Sequence, residues 1–351
     1  MTPLETMIRE MIAAEGPMGL DRYMGLCLAH PAHGYYMDRD PFGARGDFLT
    51  APEISQVFGE LIGVWCIAAW AAMGQPPAFN LVELGPGRGT LMADVLRAAR
   101  KAVPAFADAA AIHLVEMSPV LRKLQAKALG KDVSWHDRLE DVPEGPMVLI
   151  ANEFFDAIPI RQFERRDGRW HERVVGLKDD ALVLGIVASD IGDAGEDGDV
   201  IEWSPIRTAI GRTLGERLAK TQGAALIIDY GHVQTAPGDT LQAMQKHGYV
   251  SILETPGLSD LTSHVDFEAL GKAIGQGGAS VHAALTQRAF LLAMGLEQRT
   301  GMLKAKADLR TRAILDRQMM RLAAPGQMGN LFKILSATSP GLETPYPFGR
   351  T

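Results

Sequence analysis

VELGPGRGTL, Val82 to Leu91, places glycines at 85, 87 and 89 directly after a short apolar run and ahead of a helical pattern. A strand-to-helix turn of this composition lets the backbone approach a ligand, because glycine accepts left-handed φ and carries no side chain. Two ligand classes compete for it. A dinucleotide fingerprint reads G-x-G-x-x-G, its third glycine packing the helix against the strand, and here that position is Thr90. Glu83, two residues before the first glycine, also sets a carboxylate beneath the loop, where an incoming pyrophosphate would be repelled. S-adenosyl-L-methionine has an ammonium, a sulfonium and no phosphate, so the glutamate matches its charge, and the helix start near Thr90 favours its carboxylate.

The next strand tests this reading, since a nucleoside needs an acceptor for its ribose hydroxyls. Glu116 closes HLVEMSP after one helix and one return strand. A carboxylate there can take both hydroxyls in charge-assisted hydrogen bonds worth about 1.5–3 kcal/mol each. In SWHDRLEDV, Asp137 is the candidate for the adenine amine, and His136 can do the same work. A glycine-rich turn alone is often only a tight turn; the combination with two acidic strand ends points to a cofactor.

The 351 residues allow one large domain with insertions or two smaller ones. With 47% hydrophobic and 22% charged residues the chain reads as an ordinary globular protein. A net charge of −7 provides no general attraction for phosphate backbones, so nucleic acid is not an expected partner. The longest apolar run, near Ile62 to Met73, is too short to be a transmembrane segment, and MTPLETMIRE has no signal-type stretch. A cytoplasmic, bacterial-type chain without a presequence is expected. Two separated cysteines, Cys27 and Cys66, set among apolar residues, predict core positions, and no metal is expected; His30 and His33 lack a ligand cluster.

Up to residue 77 the chain reads as helices and a Gly/Pro/Asp-rich loop, in which Asp47, Phe48 and Thr50 are candidates for a lid. Thr50 followed by Glu53 fits a capping box opening a helix through Trp70. From Phe79, short apolar runs alternate with helical patterns, the signature of βαβ units. Strands are expected at 80–84, 112–116, 147–152 and 224–229, with a final one in LFKILSAT. Helices are expected at 90–102, 119–129, 206–220, 266–274 and 303–323. RQFERRDGRWHERVVGLKDDALVLGIVAS alternates instead, and its Asp167-Gly168 and Lys178-Asp179-Asp180 turns predict an antiparallel meander. The expected organisation is an N-terminal helical and lid region (1–77), an α/β core with a mostly parallel sheet (78–160 and 222–351), and a β-meander plus helix insertion (161–221).

GDFLTAPEISQVFGEL, VELGPGRGTL, LVEMSP, NEFFDAIPIRQF, LIIDYG, DLTSHVDF and MGNLFKIL together resemble the MidA-like family of S-adenosyl-L-methionine-dependent methyltransferases. The resemblance runs over nearly the whole chain. It implies a class I, Rossmann-like methyltransferase core. It also implies a relation to the mitochondrial arginine methyltransferases of complex I assembly, hence a protein substrate such as a respiratory complex I subunit. Carried onto this chain, the cofactor residues are Glu83, Gly85, Gly87, Gly89 and Glu116, with Asp137 a looser assignment, and the product is S-adenosyl-L-homocysteine.

In an open parallel sheet the ligand mouth lies at the carboxyl ends of the strands. That singles out Asn152, Glu153 and Asp156 after one strand, and Asp229, Tyr230 and His232 after the next. If the acceptor is arginine, Glu153 and Asp156 hold its cation and Asn152 positions it; the alternative is that Asn152 and Asp156 serve only local turns. His264 and Asp266 read as organisers of a helix start. NEFFD stands where enzymes acting on amides or nucleobase amines have N/D-P-P-Y/F, and no paired-glutamate loop of the main arginine methyltransferases is present. A cofactor-binding assembly factor without turnover, a small-molecule methyltransferase and a nicotinamide oxidoreductase remain as other readings.

Overall fold

A computed structural model describes residues 1–37, 39–41, 49–192 and 194–349. Its central sheet is built from β1 (Phe79–Leu84), β2 (Ala110–Val115), β3 (Val133–His136), β4 (Met147–Asn152), β5 (Gly223–His232) and β6 (Phe332–Thr338). Their order is β3-β2-β1-β4-β5-β6, all parallel except β6, which runs antiparallel to β5. β1 and β4 are buried along their whole length. Strands covered on both faces read as nearly continuous apolar runs rather than alternating ones, and Asn80, Glu83 and Asn152 are the polar exceptions here. The result is a Rossmann-like α/β fold.

Two apolar layers sandwich the sheet. On one face Phe58 and Trp65 of helix Gln56–Ala72 and Val95 of helix Thr90–Ala102 pack against Leu81, Ile150 and Leu226. On the other, Leu214 of helix Pro205–Lys220 and Leu270 of helix Phe267–Gln276 pack against Leu149 and Ile227. A third core lies off the sheet. There helices Pro3–Glu15 and Leu20–Ala29 bury Leu4, Ile8 and Tyr23 against Val175 and Leu261.

The meander takes the expected form, with strands Arg161–Arg166, Arg169–Lys178 and Ala181–Ala188 antiparallel. Asp167 and Gly168 turn with φ +53° and +73°, and Asp179 and Asp180 with +50° and +61°, the doubly left-handed turn that matches strand twist. Met18–Gly19 pairs with Val174 and Val175 of the middle strand, and Val200–Trp203 pairs with Arg161–Arg166 at the edge.

Two expectations need correction, and one element was not expected. The helix expected from Thr50 is broken: Ser55 is extended at φ −155° and its hydroxyl accepts from Val57 N, so it caps a second helix, and Thr50 makes no capping bond. The 303–323 stretch splits into Leu296–Ala305 and Leu309–Ala323, because the Asp308 side chain accepts from Thr311 N and starts a new helix there. The connection after β5 contains a three-stranded sheet, Gln242–Gln245, Gly248–Val250 and Asp260–Thr262. Asp47 and Phe48 lie outside the described residues. Among those described, no helix is long and apolar enough to cross a membrane.

Helices Pro205–Lys220 and Phe267–Gln276 approach closely at Gly215. A methyl group there would collide with the Ile274 carbonyl oxygen and stand 2.9 Å from the Gly277 Cα. Gly215→Ala should therefore lower stability by about 1–3 kcal/mol. Urea unfolding measures this, and an unchanged midpoint would show that the helices separate at no cost.

Candidate active site

The loop after β1 is shaped by backbone conformation. Gly85, Gly87 and Gly89 have φ of +60°, +52° and +82°, and a methyl on Gly85 would stand 2.8 Å from Phe154 Cδ2. Only glycine meets both demands without strain. Gly85 and Gly87 line a cavity of about 1130 Å³ together with Glu116, Ser118 and Asp137. Glu116 Oε1 accepts from Ser118 N at 2.8 Å and Oε2 from Gln125 Nε2 at 3.0 Å. Burial raises its carboxyl and these donors oppose the rise. Asp137 faces the cavity but is mostly exposed and paired with Arg122 at 2.6 Å.

Glu83 and Gly89 do not line this cavity. Glu83 is buried with Oε2 lacking a hydrogen-bond partner, and burial pushes it up to about 8. Strand alternation explains its place: Glu83 shares the face of Leu81, beneath the helix that follows the loop, while Leu84 faces the cavity. His136 pairs its Nε2 with His113 Nδ1 at 2.9 Å and is also absent from the wall.

The other end of the cavity is acidic. Glu153, Asp156 and Asp260 line it with Tyr36 and Tyr230. Glu153 has φ +51°, a conformation that costs a non-glycine residue about 1–3 kcal/mol. Its Oε1 accepts from Ala51 N at 3.0 Å and Asn152 Nδ2 at 3.3 Å. Burial pushes its carboxyl up to about 7, and the Asp156 charge adds to the rise. Asn152 is buried off the wall, orienting Glu153 rather than facing the cavity. Tyr230 donates to Asp156 Oδ2 at 2.6 Å, and Tyr36 to Asp260 Oδ1 at 2.8 Å.

Behind this wall Asp229 Oδ2 accepts from Phe155 N and Asp156 N at 3.0 and 3.1 Å. Arg207, buried on the helix after the meander, donates to the carbonyls of His264 at 2.8 Å and Asp156 at 3.2 Å and to Ser263 Oγ at 2.7 Å. Burial holds Asp229 well above the usual carboxylate range, the charges of Asp156 and Glu153 add to this, and Arg207 opposes it. Three carboxyls thus crowd one region, with Arg207 buried behind them and Arg321 on the cavity wall.

Of the expected site residues, the structure gathers Gly85, Gly87, Glu116, Asp137, Glu153 and Asp156 around one cavity. His232 stands 3.8 Å from Asp266, which caps helix Phe267–Gln276 as expected. Glu53, read as a cap, instead accepts from Thr90 Oγ1 at 2.6 Å and lies 3.7 Å from Arg88, so it braces the glycine loop. Tyr36, Gln125, Arg207 and Asp260 were not singled out by sequence. Only Gln125 carries a local signal, a polar residue in a Leu121, Gln125, Leu129 row.

The model of the S-adenosyl-L-methionine-dependent methyltransferase family matches residues 61–285. The chain belongs to this family. The methyltransferase is 38% identical to protein arginine methyltransferase NDUFAF7, mitochondrial, of Danio rerio, over 93% of this chain and 84% of the relative. Against the Homo sapiens protein of that name it is 35% identical, over 96% and 83%. A crystal structure of a Burkholderia thailandensis protein bound to S-adenosyl-homocysteine superposes with TM-score 0.85 at 29% identity, covering 97% of this chain and 93% of that one. The cofactor is S-adenosyl-L-methionine, and the residues present fit it: a glycine cradle that admits no side chain at Gly85, and a carboxylate with free lone pairs at the cavity wall. The expectation of a cytoplasmic protein is overturned, since these curated relatives are mitochondrial by name.

Removing Arg207 leaves Asp156 and Asp229 without their buried counter-charge. Arg207→Met in the methyltransferase should cost about 3 kcal/mol near neutral pH and less in acid, where the carboxyls take up protons. Unfolding melts at two pH values measure this; a variant as stable as the wild type at both would refute the account.

Proposed function

We propose that this methyltransferase transfers a methyl group to an arginine of a protein, and that the acceptor is a subunit of respiratory complex I. The observation that carries the arginine reading is the acidic wall of Glu153, Asp156 and Asp260 in the cavity that also holds Glu116 and the glycine loop. Its charge calls for a cation. The names of the mitochondrial relatives agree with the arginine acceptor, and the family resemblance supplies the complex I partner. The cavity of about 1130 Å³ exceeds the range for one small ligand, about 300–1,000 Å³, and so has room for a second group beside the cofactor.

When bound, the cofactor supplies a methyl group already activated on a sulfonium. We assign Gly85, Gly87 and Glu116 to its binding with Asp137 at the rim, Gly89 to the turn that starts the helix, and Glu83 to support of the loop from behind. Alignment of the two reactants is worth about 7–11 kcal/mol of the barrier. Glu153 and Asp156 hold and orient the guanidinium, and Asn152 holds Glu153. A guanidinium has no lone pair to offer and a pKa above about 12, so one N–H proton must leave as the N–C bond forms. Glu153, pushed up to about 7, sits where a carboxylate is both present at neutral pH and basic enough to receive that proton.

Glu116→Ala should weaken S-adenosyl-homocysteine about tenfold or more by calorimetry, from the loss of one or two charged hydrogen bonds. An unchanged affinity would remove Glu116 from the site. Glu153→Gln should abolish methyl incorporation from labelled cofactor into arginine in an extract of cells lacking the protein, with cofactor affinity changed by less than about threefold. Wild-type turnover should rise with pH through about 7 as Glu153 loses its proton. Equal activity in the variant, or label confined to small molecules, would overturn the reading.

A further inference from the structure

Gln125 has no exposed surface, yet its amide satisfies three partners from three elements. Nε2 donates to the Gly87 carbonyl at 2.7 Å and to Glu116 Oε2 at 3.0 Å, while Oε1 accepts from Trp135 Nε1 at 2.8 Å. The orientation follows from chemistry. An indole N–H only donates, so the amide oxygen must face Trp135, and both amide hydrogens are thereby directed at the glycine loop and the carboxylate.

The consequence for Glu116 is specific. One carboxylate oxygen is held by Ser118 N and the other by Gln125, so the plane of the group is pinned from both ends while a lone pair on each oxygen remains. The same amide holds Gly87 O, and Gly89 backs onto the helix at this point, its would-be methyl 3.4 Å from Gln125 Cα. The loop and the carboxylate follow different strands, and this amide bonds to both.

We propose that Gln125 is a positioning residue that holds Glu116 and the glycine loop in one fixed relation, with Trp135 setting the direction of its amide. The proposal rests on the assignment of Glu116 to the cofactor ribose. An apolar side chain of the same length would keep the packing and free the carboxylate to turn away from the hydroxyls.

The test is calorimetric titration of the full chain with S-adenosylhomocysteine and with its 2′-deoxyribose analogue, for wild type, Gln125→Met and Trp135→Phe. Wild type should favour the ribose form by about tenfold or more. Gln125→Met should reduce that preference to within about threefold, and Trp135→Phe, which lets the amide turn over while Gln125 stays in place, should lower it severalfold. A purely structural role would weaken both ligands by the same factor, so an unchanged ratio in either folded variant overturns the proposal. A wild type with no preference for the ribose form would instead overturn the assignment of Glu116.

Discussion

The acidic end of the cavity depends on one buried carboxylate. Asp229, with no exposed surface, takes the main-chain N–H groups of Phe155 and Asp156 and that of Tyr230 at 3.0 Å. Enclosing a carboxylate is costly unless donors surround it, and here two of the three donors belong to the turn after β4. That turn contains the left-handed Glu153, whose own N–H reaches Ile228 O at 2.9 Å and whose carboxylate takes Ala51 N. A strained residue persists only where its surroundings over-determine it. Asp229 on one side and the short helix Ala51–Ile54 on the other do this, and so direct Glu153 and Asp156 toward the same space.

The two ends of the cavity solve different electrostatic problems. At the glycine loop, Glu116 has a donor on each oxygen, and in the proposed assignment the ligand adds only hydroxyls. At the far end burial raises Glu153, Asp156 and Asp229, the Asp156 charge adds to the rise of the other two, and Arg207 is spent mostly on carbonyls. A neutral guest leaves that repulsion where it is. A cation relieves it, which makes charge the first criterion of selection and shape the second.

Much of this was legible in the sequence where the cause is local. Parallel strands buried on both faces read as apolar runs, and Asp167-Gly168 announces its hairpin. The glycine loop is legible from residues a few positions apart, and Glu116 from the end of the next strand along the chain. The sheet formed by Gln242–Thr262 was hidden because its turn, Lys246-His247 at φ +49° and +62°, uses residues with no turn signature. Glu53 misled because Thr50-x-x-Glu53 has capping-box spacing, while Ser55 two residues on supplied the real cap. Tyr36, Arg207 and Asp260 lie far from the motif in sequence, and only tertiary packing brings them to the cavity or behind its wall. A one-dimensional pattern has no term for that.

Their origin also explains how the site divides its labour. The end assigned to the cofactor comes from the loops that follow β1, β2 and β3, at the strand ends of the sheet itself. The acceptor end is closed by additions to it: Tyr36 from the N-terminal segment, Asp260 from the small sheet, and Arg207 from the helix behind the meander, clamping the Asp156 and Ser263–His264 turns. These additions are tied together, since Met18–Gly19 extends the meander and the N-terminal helices share a core with Leu261. In the proposed assignment, changing them alters which acceptor fits and leaves the cofactor cradle untouched. That is the physical sense in which one α/β core can serve many acceptors, with specificity residing in what is built around the strand ends.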